Sequence, residues 1–79
     1  MQCPELKPVI SSLIEAIGYD PIRQVLYVKF PNGSLYCYFE VGPNNYKGLV
    51  TASSIGAHFT KNFKYAYKYE RLSMPTPKA

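Results

Sequence analysis

Basic and aromatic side chains crowd the stretch FKYAYKYERL at residues 63–72 of this 79-residue chain. Tyrosine rings can stack on unpaired bases, and each lysine or arginine that neutralises a phosphate adds affinity by releasing a counterion. The cations of this last third are Lys61, Lys64, Lys68 and Arg71. Because only one glutamate opposes them in the stretch, the pattern predicts a surface for RNA or single-stranded nucleic acid. Solvated lysines beside packed tyrosines are the structural alternative.

Individual tyrosines differ in how free they are expected to be. Tyr65 is predicted to be exposed beside Lys64, and Tyr27 beside Lys29 forms a second predicted contact pair. Exposed tyrosine next to a cation is also typical of protein–protein hot spots, since the ring gives large rigid area plus one hydroxyl. The residues therefore leave a protein partner open beside a nucleic acid.

Catalytic and metal-binding arrangements are weakly represented. His58 is the only histidine, and the partners available to it, Cys37 with Asp20 or Glu40, stand at no informative spacing for a catalytic triad. Two distant cysteines and one histidine do not make a zinc site. We predict a non-enzymatic protein without metal or cofactor.

Length and composition limit the organisation of the chain. Seventy-nine residues with a formal charge of +4 allow one moderately basic domain. No stretch approaches the ~18 apolar residues that span a bilayer, and the first residues lack the features of a secretory signal. We therefore predict a cytoplasmic protein without membrane contact, with flexible tails at residues 1–8 and 73–79 around a domain at residues 9–72.

Three strands are predicted in the first half of the domain. A short one precedes the turn at Gly18, and residues 24–30 alternate as a strand should. Asn-Gly in Pro31-Asn32-Gly33 is a strong hairpin signal, so residues 34–41 form the returning strand. Strict alternation without a bulge places Leu35, Cys37, Phe39 and Val41 on one face of that strand.

The second half changes to helical periodicity. Pro43 suits the first turn of a helix in which Tyr46, Leu49 and Val50 share one stripe. A second helix begins after Ser53 or Ser54 as N-cap and buries Ile55, Phe59 and Phe63; Gly56 in its first turn indicates a close approach. Residues 65–72 form a terminal strand or an extended arm. The predicted fold is α+β, a three-stranded antiparallel meander followed by two helices packed on one face.

At this level of detail the chain resembles the KTSC domain family. The segments SSLIEAIGYDP, LYVKF, YCYFEVGPNNY and ASSIGAHFTKNFKYAYKYERL carry the likeness over residues 8–72. The matching motif residues are Tyr36, Tyr38, Phe39, Ser54, Gly56, Phe59, Lys64 and Tyr67. The family is named for its occurrence at the C-terminus of some lysyl-tRNA synthetases, and it also occurs as small standalone proteins of bacteria and phages.

The resemblance implies further expectations. The synthetase context implies RNA binding, and the standalone phage members imply the alternative, a protein-interaction module that inhibits or modulates a host complex. It also implies that Tyr36 and Tyr38 face the helices and Cys37 faces solvent or an edge, unless the sheet is covered on both sides. Thr60 and His58 depart from the family pattern, which often has Asn and an aromatic there. Oligomeric state is left open.

Overall fold

A computed structural model describes residues 5–73 as one antiparallel sheet covered on one face by two helices. The five strands follow one another across the sheet in chain order, and both helices are inserted between the last two strands. The elements are β1 (Lys7–Pro8), β2 (Ala16–Asp20), β3 (Val25–Lys29), β4 (Leu35–Tyr38), α1 (Pro43–Val50), α2 (Ile55–Asn62) and β5 (Tyr69–Ser73).

The α+β class is confirmed, but four strands precede the helices instead of the predicted three. The additional strand, β1, pairs Lys7 with Ile17 and Pro8 with Ala16 at the edge of the sheet. Two residues carry no readable alternation, and a proline argues against a strand unless it lies at an edge, as here. Of the predicted tails, residues 1–4 and 74–79 lie outside the described part of the chain, and Ser73 is the last residue of β5.

The predicted terminal strand is confirmed as β5, although it begins at Tyr69 and not at Tyr65. It pairs antiparallel with β4, with an irregularity in register beside Leu35 and Tyr36. Residues 63–66 form turns instead of continuing an extended arm. Tyr65 is therefore outside the sheet, and the alternation that the sequence displays at residues 65–72 is a strand pattern only over its last part.

Turn chemistry defines both early hairpins. The carboxylate of Asp20 accepts the backbone N–H groups of Ile22 and Arg23 at 3.0 and 3.2 Å, which closes the β2–β3 turn. In the predicted β3–β4 hairpin, Gly33 has a φ of 92° and the side-chain oxygen of Asn32 accepts the N–H of Ser34 at 2.9 Å. That second turn also places the buried Ser34 beside the first residues of β4.

Both faces of the sheet bury apolar side chains. The main core lies between the sheet and the helices and includes Leu26, Val28 and Tyr38, whereas a smaller cluster on the other face contains Val25, Tyr27 and Cys37. Tyr36 and Tyr38 thus face the helices, as the resemblance implied. The expectation of a solvent-facing Cys37 is wrong, since this residue is only 4% exposed. Burial on both faces reconciles the two sequence-based expectations.

The helices begin and pack as predicted. Pro43 occupies the first turn of α1, and Leu49 is buried with Tyr46 and Val50 packed around it. The ring of Tyr46 stacks on that of Tyr19 with centroids 4.4 Å apart, which joins α1 to β2. Ser54 caps α2 by accepting the N–H of Ala57 at 3.3 Å.

Phe59 connects α2 to the sheet through rings. Its ring meets Phe30 and Tyr38 edge-on at 5.9 and 5.4 Å, and it stacks with Phe63 at 6.0 Å. Edge-to-face pairs of this kind contribute about 0.5–1.5 kcal/mol each beyond the area that they bury. Phe59 is therefore the main side chain by which α2 is held on the sheet.

Gly56 allows α2 to lie close to the segment before β2. A Cβ atom at this position would lie 3.1 Å from Ser11 Oγ and 3.2 Å from Leu13 Cβ. Gly48 in α1 differs, because a Cβ atom there would meet only His58, at 3.9 Å. The close approach predicted at Gly56 is confirmed, and its neighbours are the side chains of residues 11–13.

We predict opposite effects for the two glycine-to-alanine substitutions. Gly48→Ala should raise the free energy of unfolding by about 0.5–1 kcal/mol, because alanine loses less backbone entropy in a helix. Gly56→Ala should lower it by about 1–3 kcal/mol, because the added methyl group overpacks against residues 11–13. Urea denaturation of both variants checks this, and a Gly56→Ala protein as stable as Gly48→Ala would contradict the packing argument.

Candidate functional site

A groove of about 540 Å³ lies between α2, the β3–β4 hairpin and the β4–β5 edge of the sheet. We call it the aromatic groove. Four tyrosines and two cations line it, and none of the described residues around it is an aspartate or a glutamate. These six residues are Tyr36, Tyr38, Tyr65, Tyr69, Lys64 and Arg71.

Strand register brings the ring-bearing and cationic side chains of the groove together. Tyr36 is opposite Arg71 and Tyr38 is opposite Tyr69 in the β4–β5 pair, so all four point to the helix-covered face. The ring of Tyr69 contacts those of Tyr36 and Tyr38 at centroid distances of 5.8 and 5.7 Å. Tyr69 is nevertheless 55% exposed, because no helix covers this end of β5.

Arg71 is held over the groove by two contacts. Its guanidinium carbon lies 5.8 Å from the ring centroid of Tyr36, and its Nη2 donates to Ser34 Oγ at 3.4 Å. Within residues 5–73, no carboxylate forms an ion pair with it. An oriented guanidinium without a carboxylate partner is well suited to bind an anion, because its planar fork matches phosphate oxygens.

Lys64 and Tyr65 enter the groove from the end of α2. Phe63, buried at the C-terminus of the helix, forms the C-cap, and the chain then turns through residues 63–66. Lys64 Nζ lies 5.5 Å from the ring centroid of Tyr65, which is 87% exposed. This second cation–ring pair extends the basic and aromatic surface from Arg71 to the rim of the groove.

The remaining predicted contact residues lie elsewhere. Lys61 lines a separate shallow groove with Ile10 and Leu13, and Lys68 is exposed just before β5. Tyr27 is buried on the opposite face of the sheet, where alternation also places Lys29, 3.5 Å from a carboxylate oxygen of Glu15. None of these four lines the aromatic groove, so their binding roles stay predictions.

The residues that the resemblance marked as structural divide between the two faces. Tyr36, Tyr38 and Phe59 converge on the aromatic groove, and Tyr67 packs on Phe63 at 5.1 Å between ring centroids. Phe39 belongs to the opposite cluster with Cys37, whereas Val41, expected on the same face, lies in the main core because β4 ends at Tyr38. Ser54 acts locally as the N-cap of α2, whereas Gly56 lies close to Ser11 and Leu13 in the segment before β2.

The catalytic pairing considered from the sequence is not assembled. Cys37 is buried on the face away from the helices, whereas the ring of His58 packs beside Phe63 at 6.0 Å and near Gly48. Among the residues that the structure describes, no group of three His, Cys, Asp or Glu side chains is placed to hold a metal.

Sequence reasoning missed Tyr69 and Ser34 as groove residues. Tyr69 stands two residues before Arg71, so a strand ending the chain would place both on one face. That signal is visible in the sequence. The contact between Ser34 and Arg71 joins positions 37 apart and depends on the β4–β5 register, which no local pattern contains.

A family model and a solved structure agree on one family. The model of the KTSC domain matches residues 10–67. An uncharacterized protein of Stutzerimonas stutzeri is 43% identical over 63 residues, covering 78% of this chain and 89% of that protein. A lysine–tRNA ligase of Nostoc punctiforme is 41% identical over 70 residues, covering 89% of this chain but 12% of the ligase.

A solved structure is similar in fold as well as in sequence. The crystal structure of a KTSC domain protein from Yersinia pestis superposes with a TM-score of 0.82 at 30% identity, covering 87% of this chain and 97% of that one. No helix within residues 5–73 has the length and apolarity required to cross a membrane.

The hydroxyl group of Tyr38 is the titratable group of the groove most affected by its surroundings. Burial, with smaller contributions from Tyr36, Tyr69 and Cys37, raises the pKa of Tyr38 from 10.0 to about 12. Burial beside Asp20 and Tyr46 also raises the pKa of Tyr19, whose hydroxyl donates to the carbonyl of Val41. Both phenols therefore remain neutral far above physiological pH.

We predict an alkaline loss of stability that depends on Tyr38. Its folded-state pKa exceeds the unfolded value, so its contribution is complete below pH 10 and is lost as the pH rises through about 12. Over that interval the free energy of unfolding should fall by up to about 1.4 kcal/mol for each pH unit.

The matched variant is Tyr38→Phe, which keeps the ring against Phe59 and removes the ionisable hydroxyl. Denaturation curves between pH 9 and pH 12 should show a shallower fall for this variant, with a remaining slope to which Tyr19 contributes. Identical slopes in the two proteins would contradict the assignment to Tyr38.

Proposed function

The chain belongs to the KTSC domain family, and from this premise we propose that it is a non-enzymatic binding module that contacts RNA or single-stranded nucleic acid through the aromatic groove. The observation that carries the proposal is the pairing of rings and cations in one groove. Arg71 over Tyr36 and Lys64 over Tyr65 provide positive charge beside exposed rings, with no described carboxylate lining the same surface.

The cations and the rings of the groove suit different parts of a single strand. Cations that bind phosphates release condensed counterions, which adds affinity, and unpaired bases stack on rings that have one face open. Tyr65 and Tyr69 are the exposed rings, and Lys64 and Arg71 are the cations beside them. Duplexes hide their bases, so the rings favour single strands and loops.

The relatives support the same class of ligand. Similar segments occur in proteins named lysine–tRNA ligases of Nostoc and Trichormus species, where the matched segment is 12% of each ligase. A domain found within enzymes of tRNA fits an RNA-binding role for this chain. We also propose that the protein is located in the cytoplasm, as the sequence predicts.

The second candidate function is a protein-interaction module of the phage or prophage type, which inhibits or modulates a host complex. The observation that favours it is exposed aliphatic surface, because Ile10 is 98% exposed beside Leu13 in the groove that also contains Lys61. Exposed apolar side chains of this kind suit a protein surface better than a polyanion. A partner recovered from lysate in a complex that survives nuclease treatment supports this candidate over nucleic acid.

For the leading proposal we predict salt-dependent binding of single-stranded RNA and DNA. Affinity should be measurable in the micromolar range at low salt and should fall steeply towards physiological salt. Lys64→Ala and Arg71→Ala should each weaken binding and reduce the slope of log affinity against log salt by about 0.7, the value for one phosphate of a single strand. Lys47→Ala is the matched control, because Lys47 is exposed on α1 and does not line the groove.

Stacking is tested separately at Tyr65. Because its ring is so exposed, Tyr65→Ala should leave the midpoint of unfolding unchanged while it removes about 1–3 kcal/mol of binding free energy if the ring stacks on a base. Tyr65→Phe should bind as the natural protein does. Absence of binding to any single strand at low salt, with the protein folded, refutes the proposal as a whole.

A further inference from the structure

Tyr69 and Arg71 lie two residues apart on one face of β5 and present a ring and a cation together. Residues i and i+2 of a strand are about 6.7 Å apart, so a ligand that engages both must carry an aromatic ring and an anion within one small unit. From this juxtaposition we infer that the aromatic groove holds a single unpaired nucleotide of the bound strand, with its base on Tyr69 and its phosphate on Arg71. The inference rests on the proposed function and makes it specific.

Tyr69 has the properties of a stacking platform. Its ring contacts those of Tyr36 and Tyr38, whose centroids lie 5.8 and 5.7 Å away, while more than half of the residue remains open to solvent. A ring that is already held by neighbours loses little conformational entropy when a base stacks on it. Tyr65 differs, because the contact of its ring is with the flexible side chain of Lys64.

Arg71 has the properties of a phosphate ligand held in place before binding. Tyr36 covers one side of the guanidinium, and Ser34 Oγ accepts one of its five donors. The other donors remain for an incoming anion, and the described residues supply no competing carboxylate. Ser34 is itself buried at the end of the β3–β4 hairpin, so the arginine is anchored to the fold and not to another mobile side chain.

The size of the groove suits one unpaired base. Its volume of about 540 Å³ falls within the range of about 300–1,000 Å³ typical of small-molecule sites, and its inner wall is formed by Tyr38 and Phe59. A base enters such a space only when it is free of its partner and of its neighbours in the stack. A flat basic surface would instead contact only the phosphate backbone of the nucleic acid, and it would do so in single strands and in duplexes.

The experiment compares two strands that differ by one base. The first is a six-unit single-stranded phosphodiester without bases, and the second is the same strand with one nucleobase at its centre. Because both carry the same phosphates, label-free NMR or calorimetric titration at low salt isolates the base. We expect the single base to raise affinity roughly tenfold to a hundredfold, the effect of one stacked base.

Variants assign the base and the phosphate to their side chains. Tyr69→Leu should abolish the gain from the base, and Tyr69→Phe should retain it. Arg71→Ala should weaken the binding of both strands by the same factor and leave the gain in affinity from the base unchanged. Removal of the base is then energetically coupled to the side chain at position 69 and not to the one at position 71. Thermal unfolding of each variant shows whether the loss of the Tyr69 contacts to Tyr36 and Tyr38 has altered the fold.

The outcomes separate this inference from the proposed function. If natural single strands bind but the added base gives no gain, or if the gain persists in a folded Tyr69→Leu protein, the inference is overturned and backbone contacts alone explain the binding. If no single strand binds, both fail. An acidic or phosphorylated peptide of equal charge that binds as tightly as the base-carrying strand would also overturn the inference, in favour of a protein partner.

Discussion

The contact of Phe59 with the sheet is the interaction on which the geometry of the groove depends. Its edge-on contacts with Phe30, which follows β3, and with Tyr38 of β4 hold α2 on the sheet, and Phe63 at the C-cap of the same helix stacks on it. The turn that follows then carries Lys64 and Tyr65 back over the sheet. A helix attached at another angle would bury the same apolar area while separating these two residues from Arg71.

Two rings that belong to the core, or pack against it, also line the groove. Tyr38 packs on Phe59 and also lines the groove, while Tyr36 contacts Phe30 on one side and carries Arg71 on the other. In a chain of 79 residues, which can bury only a limited apolar area, the same rings thus stabilise the core and line the groove. The inner wall of the groove is therefore held by the same ring contacts that stabilise the core.

Local signals in the sequence were sufficient for most of the fold. Asn32-Gly33 identified the hairpin, Pro43 and Ser54 identified the helix starts, and the spacing of Phe59 and Phe63 identified the buried stripe, because each depends on neighbours within one or two turns. β1 was missed because a two-residue strand gains its hydrogen bonds entirely from its partner. Alternation places Cys37 correctly on one face with Leu35, whereas the resemblance wrongly turns it towards solvent, because a sheet buried on both faces has no polar side.

The candidate site was less predictable than the fold, for a related reason. The sequence indicated Lys64, Tyr65 and Arg71, which are close in the chain, but equally indicated Tyr27, which the sheet buries on its far side. The decisive contacts, Ser34 with Arg71 and Tyr36 with Tyr69, cross from one hairpin to the last strand and depend on a register that includes an irregularity. Charge and ring content can be read from composition, whereas convergence requires the fold.

On the proposed function, a site for one nucleotide with two nearby cations has limited affinity of its own, because few phosphates are neutralised. The affinity of such a module increases most when another part of the same protein binds the same RNA, because the tethered site then meets the RNA at a high effective concentration. The ligases that contain a similar segment as 12% of their length have that arrangement available to them. For a small protein of this family, the same site instead favours ligands that are abundant or that present their unpaired nucleotide in an already ordered loop, where little entropy remains to be lost on binding.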